Sequence, residues 1–343
     1  MKSRLFGKTI YELHSMTGRL LLVLLLLWLP VFSGCTLPKE TTPISRSGFY
    51  FDTVITITVY EEQDAKALDT CFALADRYEH LFSTELPDSD VARVNAANQE
   101  WVTVDPETVS LVNTALFYAK LSDGVFDPTI GAVSSLWDFQ AEEPQLPDPS
   151  AIKEALSTVD YRDVQVDETA SALRLLRAGA AIDLGGIAKG YIADHMKEAL
   201  IEEGVTSAII NLGGNVLVLG EKPDGTPYRV GIQYPFQPEG TAIETLDVMD
   251  RSLVSSGCYE RYMTIDGVRY HHILDTETGW PVENDLLGVT ILSEYSVDGD
   301  ALSTICYAVG LKHGLALIES LPDTEAVFIK KDETLVPSSG LSL

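Results

Sequence analysis

Residues 51–60, FDTVITITVY, alternate Val and Ile with Thr, the period-two pattern of a strand with one buried face. From residue 64 the period changes. Ala67, Leu68, Cys71, Leu74, Ala75, Tyr78 and Leu81 recur at three- and four-residue spacing and predict a helix ending at residue 82. LPDSD then reads as a polar turn. Residues 106–121 predict a second helix, with Pro106 near its start where a missing N–H is tolerated. Residues 122–139 are rich in turn formers, and the acidic, proline-bearing stretch 140–149 reads as a surface loop.

The second half is built from shorter elements. Residues 173–176 and 180–184 read as strands that pair with each other, followed by a helix over 187–203 that Gly204 stops. Residues 207–212 and 216–219 flank Gly213-Gly214-Asn215, and 261–266 and 268–274 flank Asp266-Gly267, both hairpin signals. Further strands are expected at 229–233, 246–249, 288–292 and 326–330, and a helix at 300–311. Strands outnumber helices, hairpins recur and no internal repeat is visible. The pattern therefore predicts an α+β fold with mixed or antiparallel sheets and packed helices, not a doubly wound parallel sheet.

The N-terminus belongs to a different class. Lys2, Arg4, Lys8 and Arg19 precede an apolar run over residues 20–29, and Ser33-Gly34-Cys35 follows. Basic residues, a short apolar core and small residues describe an export signal over 1–34. Ten apolar residues are too few for a comfortable span, which needs about 20; an uncleaved anchor is the alternative. Ser33-Gly34-Cys35 resembles a bacterial lipobox, in which Cys35 is lipidated. Residues 35–47 then read as a polar tether to the membrane and 48–343 as one domain, with two lobes as an alternative. The expected location is extracytoplasmic, lipid-anchored to the bacterial cell membrane.

Composition narrows the partners. The 343 residues carry 24 Lys and Arg against 51 Asp and Glu. Without residues 1–34 the balance is 20 against 50, a net charge of −30. Such a surface repels nucleic acid, so an anionic substrate needs local help from a metal, a helix N-terminus or placed bases. Cys71, Cys258 and Cys306 are far apart and form no CxxC pair, so no zinc or thioredoxin-like site is expected. One disulfide or three buried thiols remain open.

Three stretches carry candidate chemistry. AIDLGGIAKGYIADHM, residues 181–196, turns from Asp183 through Gly185 and Gly186 into a helix that begins with Lys189 in its first turn. It matches neither the P-loop nor the dinucleotide fingerprint. Glycines that admit a ligand, helix N–H groups and a cation still suit a phosphate, whereas a plain strand-to-helix turn is the alternative. In DGDALST, residues 298–304, a helix starting near Gly299 puts Asp300 and Thr304 on one face as hard oxygen donors suited to Mg²⁺. The alternative is an N-cap by Asp298 or Asp300. In HHILDTETGWPV, His272 and Asp275 end a strand; metal binding, proton transfer and pairing with local carboxylates all remain open, with at most one of His271 and His272 facing a site.

In this order, FDTVITITVY, SDGVFDPTIGAVSSLWDF, AIDLGGIAKGYIADHM, INLGGNVLVLG, HHILDTETGWPV and DGDALSTICYAVG resemble the FAD:protein FMN transferases, the ApbE-type flavin transferases, from about Phe51 to Phe328. The resemblance implies a T-fold-related architecture and an enzyme that binds FAD and Mg²⁺. It implies transfer of FMN through a phosphoester to a Thr or Ser hydroxyl of an exported acceptor flavoprotein of an electron-transfer system, with release of AMP. Carried over by position, Asp183, Lys189, Val125, Phe126, Asp127 and Leu274 would contact FAD. Asp300, Thr304 and Gly186 would hold the metal, and His272 would be catalytic, with Asp275 as an alternative base. Phe51 stands where Met is usual and Glu85 where Tyr is usual, so these two mark departures in the flavin contacts. An FAD pyrophosphatase giving FMN and AMP, or a non-catalytic FAD-binding lipoprotein, is the alternative function.

Overall fold

The computed structural model describes residues 42–343; the apolar leader, Cys35 and the first part of the expected tether lie outside them. β1 (Ile44–Tyr50) and β2 (Thr53–Val59) form a hairpin around Phe51 and Asp52, both at positive φ, 52° and 55°. That is the turn geometry that matches strand twist. Two expectations change here. The strand expected from residue 51 starts at Thr53, because 51 and 52 make the turn. The tether expected through residue 47 overlaps β1, where Ser45 and Ser47 pair their hydroxyls with Thr58 and Thr56 at 2.7 and 2.8 Å.

This hairpin edges an eight-stranded sheet in the order β1-β2-β6-β7-β10-β13-β14-β15, antiparallel at every pair. β6 (Ala208–Leu212) and β7 (Asn215–Leu219) are the hairpin expected at Gly213-Gly214. β10 (Ser252–Gly257) and β13 (Leu286–Ser293) are central, and β14 (Glu325–Lys330) and β15 (Leu335–Pro337) close the far edge. Alternation along β14 shows how the sheet is covered. Ala326 and Phe328 enter the main core, whereas Val327 and Ile329 enter a second cluster with Tyr228, Ile232, Leu246 and Val248. The latter belong to the hairpin of β8 (Tyr228–Gln233) and β9 (Ala242–Val248), which covers one face.

The other face carries α1 (Ala67–Phe82), α6 (Ala188–Glu202) and α7 (Ser296–Ile318); α6 packs against both α1 and α7, and α7 lies on β10 and β13. α7 starts four residues earlier than expected and continues past Gly310, whose φ of 76° and ψ of 172° interrupt it. α3 (Pro106–Leu121) matches its expected bounds, capped by Asp105. The sequence pattern missed short helices α2 (Asp90–Ala96), α4 (Gly131–Ser134) and α5 (Pro149–Leu156).

The pairing expected between 173–176 and 180–184 does not form. β5 (Ala172–Leu175) lies between β3 (Val102–Thr103) and β4 (Val164–Asp167). Residues 180–184 run along the 127–131 loop instead, through Asp183 N to Pro128 O at 2.8 Å and Gly131 N to Ala181 O at 3.0 Å. The Asn95 side chain satisfies both backbone groups of Ile182, at 2.7 and 2.9 Å, so that segment needs no strand partner. The Asp266-Gly267 turn joins β11 (Tyr262–Ile265) to β12 (Val268–His271) as expected. Met263 there packs with Trp137 and Ile152 in a third cluster that backs Leu274 and Trp280.

Candidate functional site

The glycine turn delivers Asp183, Gly185 and Gly186 to the start of α6. Asp183 Oδ1 accepts from Gly185 N at 2.8 Å and its Oδ2 from Ser134 Oγ at 2.7 Å, so its carboxylate shapes the turn and ties it to α4. The N–H groups expected to await an anion are largely engaged. Ile187 N and Ala188 N both donate to Leu184 O, at 3.0 and 2.8 Å, and Gly190 N donates to Asp300 Oδ2 at 2.9 Å. The helix terminus is thus satisfied mainly from within the protein. Lys189 remains for an anionic ligand. Its Nζ stands 3.3 Å from Gly185 O and 3.5 Å from Asp300 Oδ1, which resolves the conflict between a first-turn cation and the helix dipole.

Asp300 and Thr304 stand one turn apart in α7, as their spacing requires. The cap alternative takes an unexpected form. Asp298 accepts from Tyr118 Oη at 2.5 Å, and Asp300, 3% exposed, caps α6 rather than its own helix. Thr304 is half-buried, with Oγ1 3.4 Å from both Asp300 O and Ser256 Oγ. A Cβ at Gly186 would stand 3.7 Å from Thr304 Oγ1 and 3.1 Å from the Phe126 ring. Gly186, Phe126, Asp300, Thr304 and Lys189 therefore converge, although they span 178 positions of sequence.

The segment around Phe126 forms a second wall. Val125 and Asp127 line a cleft of about 320 Å³ with Asp160, Tyr161, Asp275 and Thr276. Buried Asp127 accepts from Thr129 N and Oγ1 at 2.8 and 2.6 Å and from Tyr161 N at 2.8 Å. Burial raises its pKa, against the pull of those bonds. Its carboxylate organises the loop, which leaves partly exposed Val125 as the apolar surface this segment offers a ligand, while Phe126 is buried beside Gly186. Thr276 Oγ1 donates to Gly124 O at 2.9 Å and fastens this wall to the next.

His271 and His272 part ways as strand alternation demands. His271 is buried, with Nε2 3.0 Å from Val282 O and 3.3 Å from Tyr307 Oη, and Nδ1 accepting from Ile273 N at 3.3 Å. His272 keeps part of its surface open, and its Nδ1 lies 3.1 Å from Arg261 O. A carbonyl can only accept, so this contact assigns the proton to Nδ1 and leaves Nε2 as an acceptor. Burial first, then the charges of Arg261, His271 and Lys189, push its pKa well below the ordinary value, which keeps the ring neutral. Asp275 is a weaker candidate base. Its Oδ1 accepts from Glu277 N and Thr278 N at 2.8 and 2.9 Å, and so fixes the turn behind His272.

Phe51 N donates to Glu79 Oε1 at 2.7 Å, and Glu85 lies exposed in the loop after α1. Leu274 is half-buried and bridges to Pro281, behind the His272 segment. Sequence reasoning missed Ser256 and Asp194. Asp194 Oδ1 and Oδ2 accept from Ser296 N and Val297 N at 2.8 and 2.9 Å. Burial raises its pKa to about 7, against those two bonds, with Asp298 adding repulsion. Among the described residues Cys71, Cys258 and Cys306 are free thiols, with no disulfide between them.

These shifts predict a pH profile for stability. Asp194 titrates higher in the folded chain than at its ordinary 3.8, so its contribution is present below pH 4 and lost as pH rises through about 7. His272 is depressed, so its contribution is present above its ordinary 6.5 and lost as pH falls. Tm, followed by circular dichroism, should rise as pH is lowered from 8 to 6.5. Asp194→Asn should flatten that rise; an unchanged slope in the variant would assign it to other groups.

Comparison with known proteins bears on the same residues. The ApbE family model matches residues 51–328. An FAD:protein FMN transferase of Treponema pallidum (strain Nichols) is 36% identical over 315 residues, 87% of each chain. One from Klebsiella pneumoniae (strain 342) is 35% identical over 296 residues, 86% of this chain and 92% of that one. The crystal structure of the ApbE protein from Thermotoga maritima superposes with a TM-score of 0.81 at 30% identity, over 87% of this chain and 98% of that one. The flavin transferase ApbE from Vibrio cholerae does so with a TM-score of 0.77 at 25% identity, over the same shares. The α+β fold class expected from the strand and helix pattern is borne out.

Proposed function

We propose, from the premise that this chain belongs to the ApbE family, that it transfers FMN from FAD to a Thr or Ser hydroxyl of an acceptor protein in an Mg²⁺-dependent step. The observation that carries this reading is the convergence of Gly186, Asp300 and Thr304 beside Lys189. The donor set fits Mg²⁺. Asp300 Oδ1, Thr304 Oγ1 and the Gly186 carbonyl are hard oxygens, and a single carboxylate suits an ion that keeps waters and takes substrate phosphates. No cluster of three His, Cys, Asp or Glu side chains that would favour another metal occurs among the described residues. Bound there, Mg²⁺ would offset the charge that develops on the phosphoryl oxygens.

The chain's own residues supply the rest. Lys189 places a cation beside the same site in a protein whose surface otherwise repels a pyrophosphate. Val125 offers apolar surface to the nucleotide, and buried Phe126 backs the glycine turn at Gly186. His272 Nε2, neutral and unprotonated, takes the proton of the acceptor hydroxyl. The hydroxyl oxygen then bonds to the FMN-side phosphorus, the pyrophosphate P–O bond breaks, and AMP leaves with the bridging oxygen. The leader and Cys35 extend the proposal to a lipid-anchored enzyme outside the cytoplasm that modifies an exported flavoprotein.

Mass measurement tests this directly. The protein, FAD, Mg²⁺ and a co-expressed exported acceptor should yield an acceptor heavier by one FMN group, with AMP in equal amount. Free FMN and AMP without adduct would indicate hydrolysis instead. Stoichiometric FAD binding without AMP would indicate a flavin carrier.

A further inference from the structure

α6 and α7 meet at their first turns. A Cβ on buried Gly190 would stand 2.6 Å from Val297 Cα, so the two backbones touch with no side chain between them. One helical turn further along α6, on the same face, Asp194 receives both Ser296 N and Val297 N. Tyr295, the cap position of α7, offers no side-chain cap, so Asp194 supplies it from another helix. In return, Asp300 Oδ2 of α7 receives Gly190 N, an orphan donor of α6.

We propose that Asp194 is a positioning residue for the metal site: each helix caps the other, and this reciprocal clamp fixes Asp300 so that Oδ2 holds the Gly190 amide and Oδ1, with only Lys189 Nζ near it at 3.5 Å, is the oxygen turned to the site. The inference rests on the assignment of Asp300 to Mg²⁺. The clamp is anchored on its far side as well. Ser296 Oγ donates to Asn215 Oδ1 at 2.7 Å and accepts from Ser252 Oγ at 2.8 Å, and Gly299 seats against Val254 of β10. Only the Asp194 side carries charge, and it faces two helix N–H groups that would otherwise be buried without partners. Releasing it frees the first turn of α7, on which Asp300 sits.

The test titrates the full chain with Mn²⁺ as the probe ion at pH 8, where Asp194 is ionised, and follows bound ion by paramagnetic resonance. Asp194→Ala should bind Mn²⁺ about 10- to 100-fold more weakly, the usual effect of removing a group that orients a metal ligand. Asp194→Asn keeps one acceptor oxygen and should fall between, which also serves if the Ala variant folds poorly. Hydrogen exchange at the Gly190 amide should quicken in Asp194→Ala although residue 194 does not touch it. Asp148→Ala removes the cap of α5, which contacts Ser150 N at 2.7 Å, and should bind Mn²⁺ as the unaltered protein does. Wild-type Mn²⁺ affinity in both Asp194 variants, or an equal loss in Asp148→Ala, overturns the clamp. Unchanged affinity in Asp300→Ala overturns the metal assignment itself, and the clamp's purpose with it.

Discussion

Asp300→Ala is expected to slow FMN transfer at least about 10³-fold and to abolish its response to Mg²⁺. The magnitude follows from losing several kcal/mol of charge stabilisation at about 1.4 kcal/mol per factor of ten. Two duties meet on this buried carboxylate. Oδ2 accepts from Gly190 N, and Oδ1, 3.5 Å from Lys189 Nζ, is the oxygen left for a cation. The alanine variant removes both, so α6 also loses an N-terminal partner and Tm should fall. Asp300→Asn separates the duties. Its amide oxygen can still receive Gly190 N, while its neutral head no longer attracts Mg²⁺. Transfer should collapse in both variants, and Tm should fall mainly in the alanine form. Initial rates of acceptor labelling across Mg²⁺ concentrations decide the matter. An Asp300→Ala protein that labels at the normal rate would sink the metal assignment and leave Lys189 to carry the charge stabilisation.

What the sequence made legible follows the range of each signal. The β6–β7 and β11–β12 hairpins were readable because their turns and alternating flanks are local. So was α3, whose cap Asp105 and Pro106 adjoin it. β10 was not, although it lies at the centre of the sheet. SLVSSG has few apolar residues, and its buried hydroxyls find their short partners on α7, through Ser252 to Ser296 and Ser256 to Ser303, both at 2.8 Å. The start of α7 was misplaced for the same reason: its cap comes from Asp194, 102 positions earlier, and leaves no mark nearby. Periodicity put Asp300 and Thr304 on one helix face, but it did not bring Gly186 to them. That pairing came from the order of six family-like stretches, and the geometry now accounts for it through Phe126, Gly186 and Thr304. The carboxylates of Asp127 and Asp275 looked chemical in sequence and serve turns in the structure, because Asp bonds as readily to backbone N–H groups as to ligands.

Gly190→Ala is expected to lower kcat/KM by on the order of 100-fold while also lowering Tm. In an ordinary helix interior the change would stabilise by about 0.5–1 kcal/mol, since alanine loses less chain entropy. Here the new methyl would meet the backbone of Ser296 and Val297, which cannot rotate away as a side chain would. Overpacking of this kind costs roughly 1–3 kcal/mol and exceeds the entropic gain. The relief available is for α7 to move off α6. That movement stretches Gly190 N to Asp300 Oδ2, now 2.9 Å, and carries Asp300 and Thr304 away from Gly186. A displacement near 1 Å at a reacting centre is enough for a loss of about 10²-fold. Steady-state labelling and thermal melts of the variant measure both effects. If Tm falls but kcat/KM stays within threefold of wild type, the α6–α7 contact holds the fold together without setting the reactive geometry.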